Sequence, residues 1–266
     1  MNYPIAELEQ KTIGSEHGLP LLCLHGWGTD LNTFDPLTEQ LTDRFQVFSF
    51  SFPGFGRSPE PSEPWSVSDY VALTENYVRE TIGRSPYAIL AHSFGGRVTA
   101  GLCDSFVMKD CKKLILIGAA GIRPKRPVSY YIKVYGYKAM KFLSKIPGLH
   151  AILKRPIAAY RNRYASDDYA RASTVMQATL SKVVKQDLSR EFSKLSLPSL
   201  LIWGKADDQT PIDQGRRMHH LIADSGLVEL DGGHFIYLEK KSEVQQAVRH
   251  FLTDASAADE AKGGDR

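Results

Sequence analysis

Cysteine is scarce in this sequence, and what there is does not make a disulfide scaffold. Cys23, Cys103 and Cys111 are odd in number and far apart, with no C-x-x-C pair, so free thiols are expected. Histidines do not cluster at metal-ligand spacing, and neither a metal nor any other cofactor is expected. Long apolar runs are missing too, which excludes a membrane-spanning helix. The opening "MNYPIAELEQ" is mixed and acidic and lacks a basic start leading into an apolar run, so no leader peptide is read there and a cytoplasmic setting is expected. Net charge is small, +3 over the whole chain, and by itself names no partner.

What is present is ample apolar material, 42% of 266 residues, enough for one large α/β domain or two small ones. Short apolar, β-branched or aromatic runs alternate with longer amphipathic stretches, the pattern of a mostly parallel sheet flanked by helices. Six strands are expected: "LPLLCLHG", "FQVFSFSFPG", "YAILAHS", "KKLILIGAAG", "LPSLLIWGKAD" and "GLVELDGGH". Each ends in glycine, serine, histidine or aspartate, which places polar residues beyond the carboxyl ends of the strands, where ligands bind in open α/β sheets. A helix is expected from Ser66, as N-cap, to a stop at Gly83, and a last helix over "SEVQQAVRHFLTD".

About 75 residues between Gly121 and Pro198 hold no strand-like run, too many for an ordinary crossover. Three helical stretches are expected there, the third capped by Ser166. The division that follows is a core of 1–121 and 197–253, an inserted helical lid of 122–196 and a disordered tail of 254–266. From Ile122 to Tyr164 the chain carries eleven Lys and Arg and no Asp or Glu, leaving the remainder with 22 basic against 30 acidic residues. Six tyrosines, Tyr130 among them, are interleaved with that charge. It reads either as a solvated basic face over packed tyrosines or as a rim that attracts an acidic partner: an anionic small substrate, an acidic carrier protein or an anionic membrane surface. Nucleic acid is disfavoured, since no nucleic-acid-binding motif accompanies the basic segment.

The stretch "ILAHSFGG" (Ile89 to Gly96) joins an expected strand to an expected helix through Ser93. Small neighbours at Ala91 and Gly95 suit a sharp strand-to-helix turn that exposes a nucleophilic hydroxyl. Such a hydroxyl needs a base, and the base an orienting carboxylate. "WGKADDQTP" supplies Asp207, with Asp208 as its competitor, and "LDGGHFIYLE" supplies His234, each after an apolar run and in the order this elbow requires. The backbone N–H groups of Trp27, in "HGWG", and Phe94 would form the oxyanion hole. His25 has two readings, a brace for its loop or a contact for substrate.

With "HGWG", "FPGFGRS", "AHSFGG", "GKADDQTP" and "GGH" in this order, from about Leu19 to Phe251, the sequence resembles the α/β-hydrolase-fold serine hydrolases. The resemblance implies an α/β-hydrolase fold, a Ser93-His234-Asp207 triad and an acyl-enzyme route on a small-molecule acyl substrate. Ala91 stands where relatives have glycine, and Ser51 where they often have aspartate. Serine at position 93 disfavours the haloalkane dehalogenases and epoxide hydrolases, which use aspartate there. The motifs are similar to those of pimeloyl-carrier-protein methyl esterases, implying a carrier-linked substrate, and to those of ring-cleavage-product hydrolases, implying carbon–carbon cleavage with Arg161 or Arg163 near the substrate. A fold member that binds ligand without turnover is a third reading. Oligomeric state is not read from the sequence.

Overall fold

The computed structural model of the chain describes residues 3–123 and 172–253, together with positions 136, 139, 140, 142–144, 146, 148, 149 and 153. A seven-stranded sheet organises it: β1 (Gln10–Gly14), β2 (Leu19–Leu24), β3 (Phe45–Phe50), β4 (Tyr87–His92), β5 (Cys111–Ile117), β6 (Ser199–Gly204) and β7 (Ser225–Leu230), in the order β1-β3-β2-β4-β5-β6-β7. Six strands are parallel, and β1 runs antiparallel to β3 at the edge. The six parallel strands are those expected from the apolar runs. β1, "QKTIG", is additional: its exposed and half-buried residues alternate, as in a short strand with one face in solvent, and it carries no apolar run.

The sheet is covered on both sides, which is why its strands are apolar at consecutive positions. Leu22, Leu24, Ile89, Ala91, Leu114, Leu116, Leu201 and Trp203 pack into one core. Their sequence neighbours Leu21, Cys23, Ala88, Leu90, Ile115, Ile117, Leu200 and Ile202 pack into the other, as a period of two demands. On the first face lie α1 (Val67–Tyr77), α2 (Phe94–Gly101) and α4 (Ile212–Leu221), and on the second α5 (Lys241–Thr253). Ser66, expected as N-cap, is part of a capping box, Asp69 accepting the Ser66 N–H at 2.7 Å. The chain leaves that helix through a wider π turn, Val78–Ile82, and stops at Gly83 with φ +75°.

The connection from β2 to β3 leaves on one side of β2, and β4 then returns on the other. The ends of β2 and β4 therefore flank the switch point of the sheet, which opens a crevice there. Among the described residues between β5 and β6 there is no strand. There α3 (Thr174–Val183) lies against the core, capped by Ser173 and not by Ser166, which is outside the described residues. Arg97 on α2 reaches it: the buried guanidinium donates to the carbonyls of Val183 and Gln186, both at 2.9 Å, where a cation suits a helix C-terminus. Thr179 accepts from the Trp65 N–H at 3.0 Å, so this helix is tied to the core at its middle and at its C-terminus. Most of the expected lid, with Tyr130, Arg161 and Arg163, and the expected disordered tail lie outside the described residues.

Candidate active site

Ser93 follows the last residue of β4 and precedes the first of α2. Its backbone has φ +49° and ψ −108°, and among the described residues it is the one non-glycine with positive φ. A strained conformation of this kind persists where its surroundings hold it on both sides. The Ser93 N–H donates to Ile117 O at 3.1 Å, and the Ser93 carbonyl accepts from Gly96 at 3.0 Å and Ala120 at 2.8 Å. The tightness explains the glycine two residues on, because a Cβ at Gly95 would lie 2.1 Å from the carbonyl oxygen of Leu24. Ala91 is fully buried in the strand, so the methyl that replaces the usual glycine is accommodated in the first core.

Beyond β6 and β7 the chain builds a different structure. Asp207 Oδ2 and His234 Nδ1 are 2.8 Å apart, and both side chains are buried. Asp207 Oδ1 accepts the backbone N–H groups of Gln209 and Thr210 at 2.9 and 2.8 Å, an Asx turn that fixes the carboxylate before any tertiary contact is made. Burial pushes the Asp207 carboxyl up, but the bonds from His234 and Thr210 outweigh it and hold the group below its ordinary value. Asp208, its competitor in the sequence, is exposed. The acid and base loops are also zipped together, since Ala206 N–H donates to Gly232 O at 2.9 Å. A Cβ at Gly204 would lie 2.2 Å from Gly233 O.

Thr210 and Gly118 belong to this pair although their roles were not read from the sequence. Thr210 Oγ1 lies 2.9 Å from Asp207 Oδ2, 3.0 Å from Gly118 O and 3.3 Å from His234 Nδ1, so its one proton serves one acceptor at a time. A Cβ at Gly118, whose φ is +49°, would stand 3.3 Å from Asp207 Oδ2. A threonine three residues after an aspartate is the available signal for the first; nothing local marks the second.

The loop after β2 completes the cluster. His25 is buried, takes the Phe52 N–H on Nε2 at 2.8 Å and donates from Nδ1 to Gly26 O at 2.7 Å. Both nitrogens are engaged within the protein, and burial lowers its pKa to about 4, so the ring is neutral. The Trp27 ring packs edge-on against the rings of Phe94 at 5.5 Å and Phe55 at 4.8 Å, so the loop after β2 lies against the start of α2. Phe94 opens α2, so its N–H has no acceptor within the helix. Ser51 does not leave its turn unbraced: its hydroxyl donates to Glu9 at 2.9 Å, and the Glu9 carboxylate also accepts the Arg57 N–H at 2.8 Å. The carboxylate of Glu9, the residue before β1, thus braces the turn at Ser51.

The structure joins Asp207 to His234 and the Trp27 loop to Phe94. The Ser93 hydroxyl has no hydrogen-bond partner among the described residues, and its approach to His234 is the contact that is not closed. A cavity of about 260 Å³ opens beside Trp27, lined further by Gly54, Phe55, Glu60, Ser173 and Met176. Among the described residues no group of three His, Cys, Asp or Glu side chains could hold a metal ion, and no helix is long and apolar enough to cross a membrane.

The profile of the alpha/beta hydrolase fold family matches residues 20–241. A serine hydrolase-like protein of Danio rerio is 31% identical over 126 residues, 47% of this chain, and the match spans only 38% of that relative's length. A 2-hydroxy-6-oxononadienedioate/2-hydroxy-6-oxononatrienedioate hydrolase of Klebsiella pneumoniae is 24% identical over 243 residues, 86% of this chain and 83% of that one. Among solved structures, the enol-lactonase from Burkholderia xenovorans LB400 superposes with a TM-score of 0.70 at 21% identity, covering 93% of this chain and 96% of that one.

Proposed function

This chain belongs to the alpha/beta hydrolase fold family, and on that premise we propose that it is a serine hydrolase that cleaves a small carboxylic ester through an acyl-enzyme. The observation that carries the reading is the buried Asp207–His234 pair at 2.8 Å, built beside a serine held at positive φ on the strand-to-helix turn. Ser93 attacks the carbonyl carbon while His234 Nε2 takes its proton. Asp207 holds the ring with Nδ1–H directed at its own Oδ2 and stabilises the imidazolium that forms. The Trp27 and Phe94 amides receive the oxyanion, each such donor contributing about 3 kcal/mol to the barrier reduction. His234 then protonates the leaving alcohol, and water, activated by the same histidine, releases the acid and restores Ser93.

The cavity beside Trp27 suits a small acyl or alcohol group, with Trp27, Phe55 and Met176 as its apolar wall. The division into core and inserted cap, and an anionic or carrier-linked substrate drawn by the basic segment 122–164, are part of this proposal, as is a cytoplasmic setting. The likeness to the Klebsiella hydrolase along most of both chains favours one second reading, hydrolysis of a carbon–carbon bond in a vinylogous keto acid by the same residues.

The test is turnover of p-nitrophenyl esters of graded acyl length by wild type and Ser93→Ala. Turnover that varies with chain length and disappears in the variant is expected. A folded wild type that hydrolyses none of them, but cleaves a dienone ring-cleavage product, moves the assignment to carbon–carbon hydrolysis. No turnover of either class, with binding retained, moves it to a ligand-binding protein.

A further inference from the structure

His92 is the last residue of β4 and the immediate neighbour of Ser93, and no step above uses it. It is 1% exposed and wedged between two loops. Its Nε2 lies 3.1 Å from the backbone carbonyl of His234, its ring stands 4.7 Å from the His234 ring, and Phe235 and Tyr237 close round it at 5.4 and 5.0 Å. On the other side it meets the loop after β2: a Cβ at Gly26 would lie 2.8 Å from His92 Nδ1 and 3.3 Å from Ser93 Cβ.

These contacts fix the tautomer. A carbonyl oxygen only accepts, so Nε2 must carry the proton and Nδ1 must be bare. The bare nitrogen is fully buried and has no hydrogen-bond partner among the described residues. Leaving a buried acceptor unpaired is costly, and a site that retains one does so for a reason other than local stability. A protonated ring would place a donor against Gly26 with nothing to receive it, and a cation beside His234. Burial, with the neighbouring His234, pushes the pKa of His92 down to about 3, so the ring keeps one form across the range in which enzymes of this kind work.

We propose that His92 is a positioning residue: a rigid strut from the Ser93 elbow to the His234 carbonyl that sets the distance between nucleophile and base, with its flat Nδ1 edge seating the Gly26 turn of the oxyanion loop. This rests on the assignment of Ser93 and His234 above. The strut works through its length and its single donor. An aliphatic residue at 92 reaches neither loop, and a residue larger than glycine at 26 displaces the ring. A misplacement of about 1 Å between reacting groups is enough to cost on the order of 100-fold in rate.

The experiment compares wild type, His92→Phe, which keeps a ring and removes the donor, and His92→Gln, which keeps a donor of similar reach. His92→Phe is expected to lower kcat by about 10- to 100-fold with KM changed less than about threefold, and His92→Gln to recover most of the loss. A folded His92→Phe with wild-type kcat overturns the proposal. So does an equal loss of kcat in both variants that follows their loss of thermal stability, since that is the behaviour of a packing residue.

A second readout needs no turnover and separates this proposal from the serine hydrolase reading. Long-range ¹H–¹⁵N spectra of the imidazoles should show His92 as the neutral Nε2–H tautomer down to pH 5, and His92→Phe should move the ring signals of His234. A His92 that carries its proton on Nδ1, or that titrates above pH 5, contradicts the strut whether or not the wild type hydrolyses any ester.

Discussion

The two halves of the candidate site are built in opposite ways. Around Asp207 and His234, hydrogen bonds are complete before any substrate arrives: the carboxylate accepts from two backbone amides, and its other oxygen meets the imidazole and the Thr210 hydroxyl. Around Ser93 the hydroxyl is unpartnered among the described residues, the backbone sits at φ +49°, and the N–H of Phe94 has no acceptor within its own helix. The finished half carries a permanent charge and must be held still in a buried place. On the proposed reading the open half receives charge that exists only during the reaction, and its loops are held by packing, Trp27 on Phe94 and Gly95 on Leu24.

The contrast breaks first at Ser93. Ser93→Ala should reduce kcat by roughly 10⁶-fold while leaving thermal stability nearly unchanged, because the hydroxyl makes no bond to lose; ester turnover and a melting curve check both parts. On the finished half, Asp207→Asn should cost about 10⁴-fold in kcat through the wrong imidazole tautomer. Asp208→Asn, at an exposed carboxylate, should stay within about twofold, and parallel kinetics of the pair separate the two acids.

A third variant strikes the packing that holds the open half. Gly95→Ala forces a methyl into the Leu24 carbonyl and should destabilise the fold by about 1–3 kcal/mol, read by denaturant titration.

The neutral histidines at the junction give a pH signature. His25 and His92 are held neutral in the fold to about pH 4 and about pH 3, whereas the unfolded chain protonates them near 6.5. Below pH 6.5 the unfolded state therefore binds more protons. Stability contributed by the two rings is complete above that pH and falls as pH drops toward 4, by up to about 1.4 kcal/mol per pH unit for each histidine. Asp207, whose carboxyl is depressed, adds a loss only at lower pH, below its ordinary value of 3.8. Denaturant midpoints from pH 8 to 4 should show the first decline, and a flat profile between 6.5 and 4.5 would contradict it. The smallest effect is expected at Thr210→Val, about tenfold in kcat, the worth of one hydrogen bond to the carboxylate.

Much of this was legible in the sequence because strand ends and chemistry coincide. Five of the six parallel strands stand out as apolar runs buried on both faces, and β7, half-buried at the other edge, still carries one; Ser93, Asp207 and His234 each follow such a run. Asp207 and Asp208 are neighbouring candidates in the sequence, with Asp207 preferred; folding buries that one against His234 and leaves the other in solvent. β1 escaped because an edge strand with one face in water needs no apolar run, and Thr210 and Gly118 because their roles depend on loops that meet only across the sheet. His92 has no local signal at all. Its partners are 142 residues further along the chain and, at Gly26, in the loop after β2. The cap of α3 was misplaced for a simpler reason: Ser166 and Ser173 both precede helix-compatible residues, and it is Ser173 whose side chain accepts the Met176 N–H, at 3.2 Å.

The central claim, that Ser93 is a nucleophile primed by the Asp207–His234 pair, is tested most directly by labelling the wild-type protein with a fluorophosphonate and mapping the modified peptide. One adduct per chain, located on Ser93, lost in Ser93→Ala and slowed at least a hundredfold in Asp207→Asn, is the predicted result. A folded wild type that takes no label, or takes it on another residue, contradicts the account.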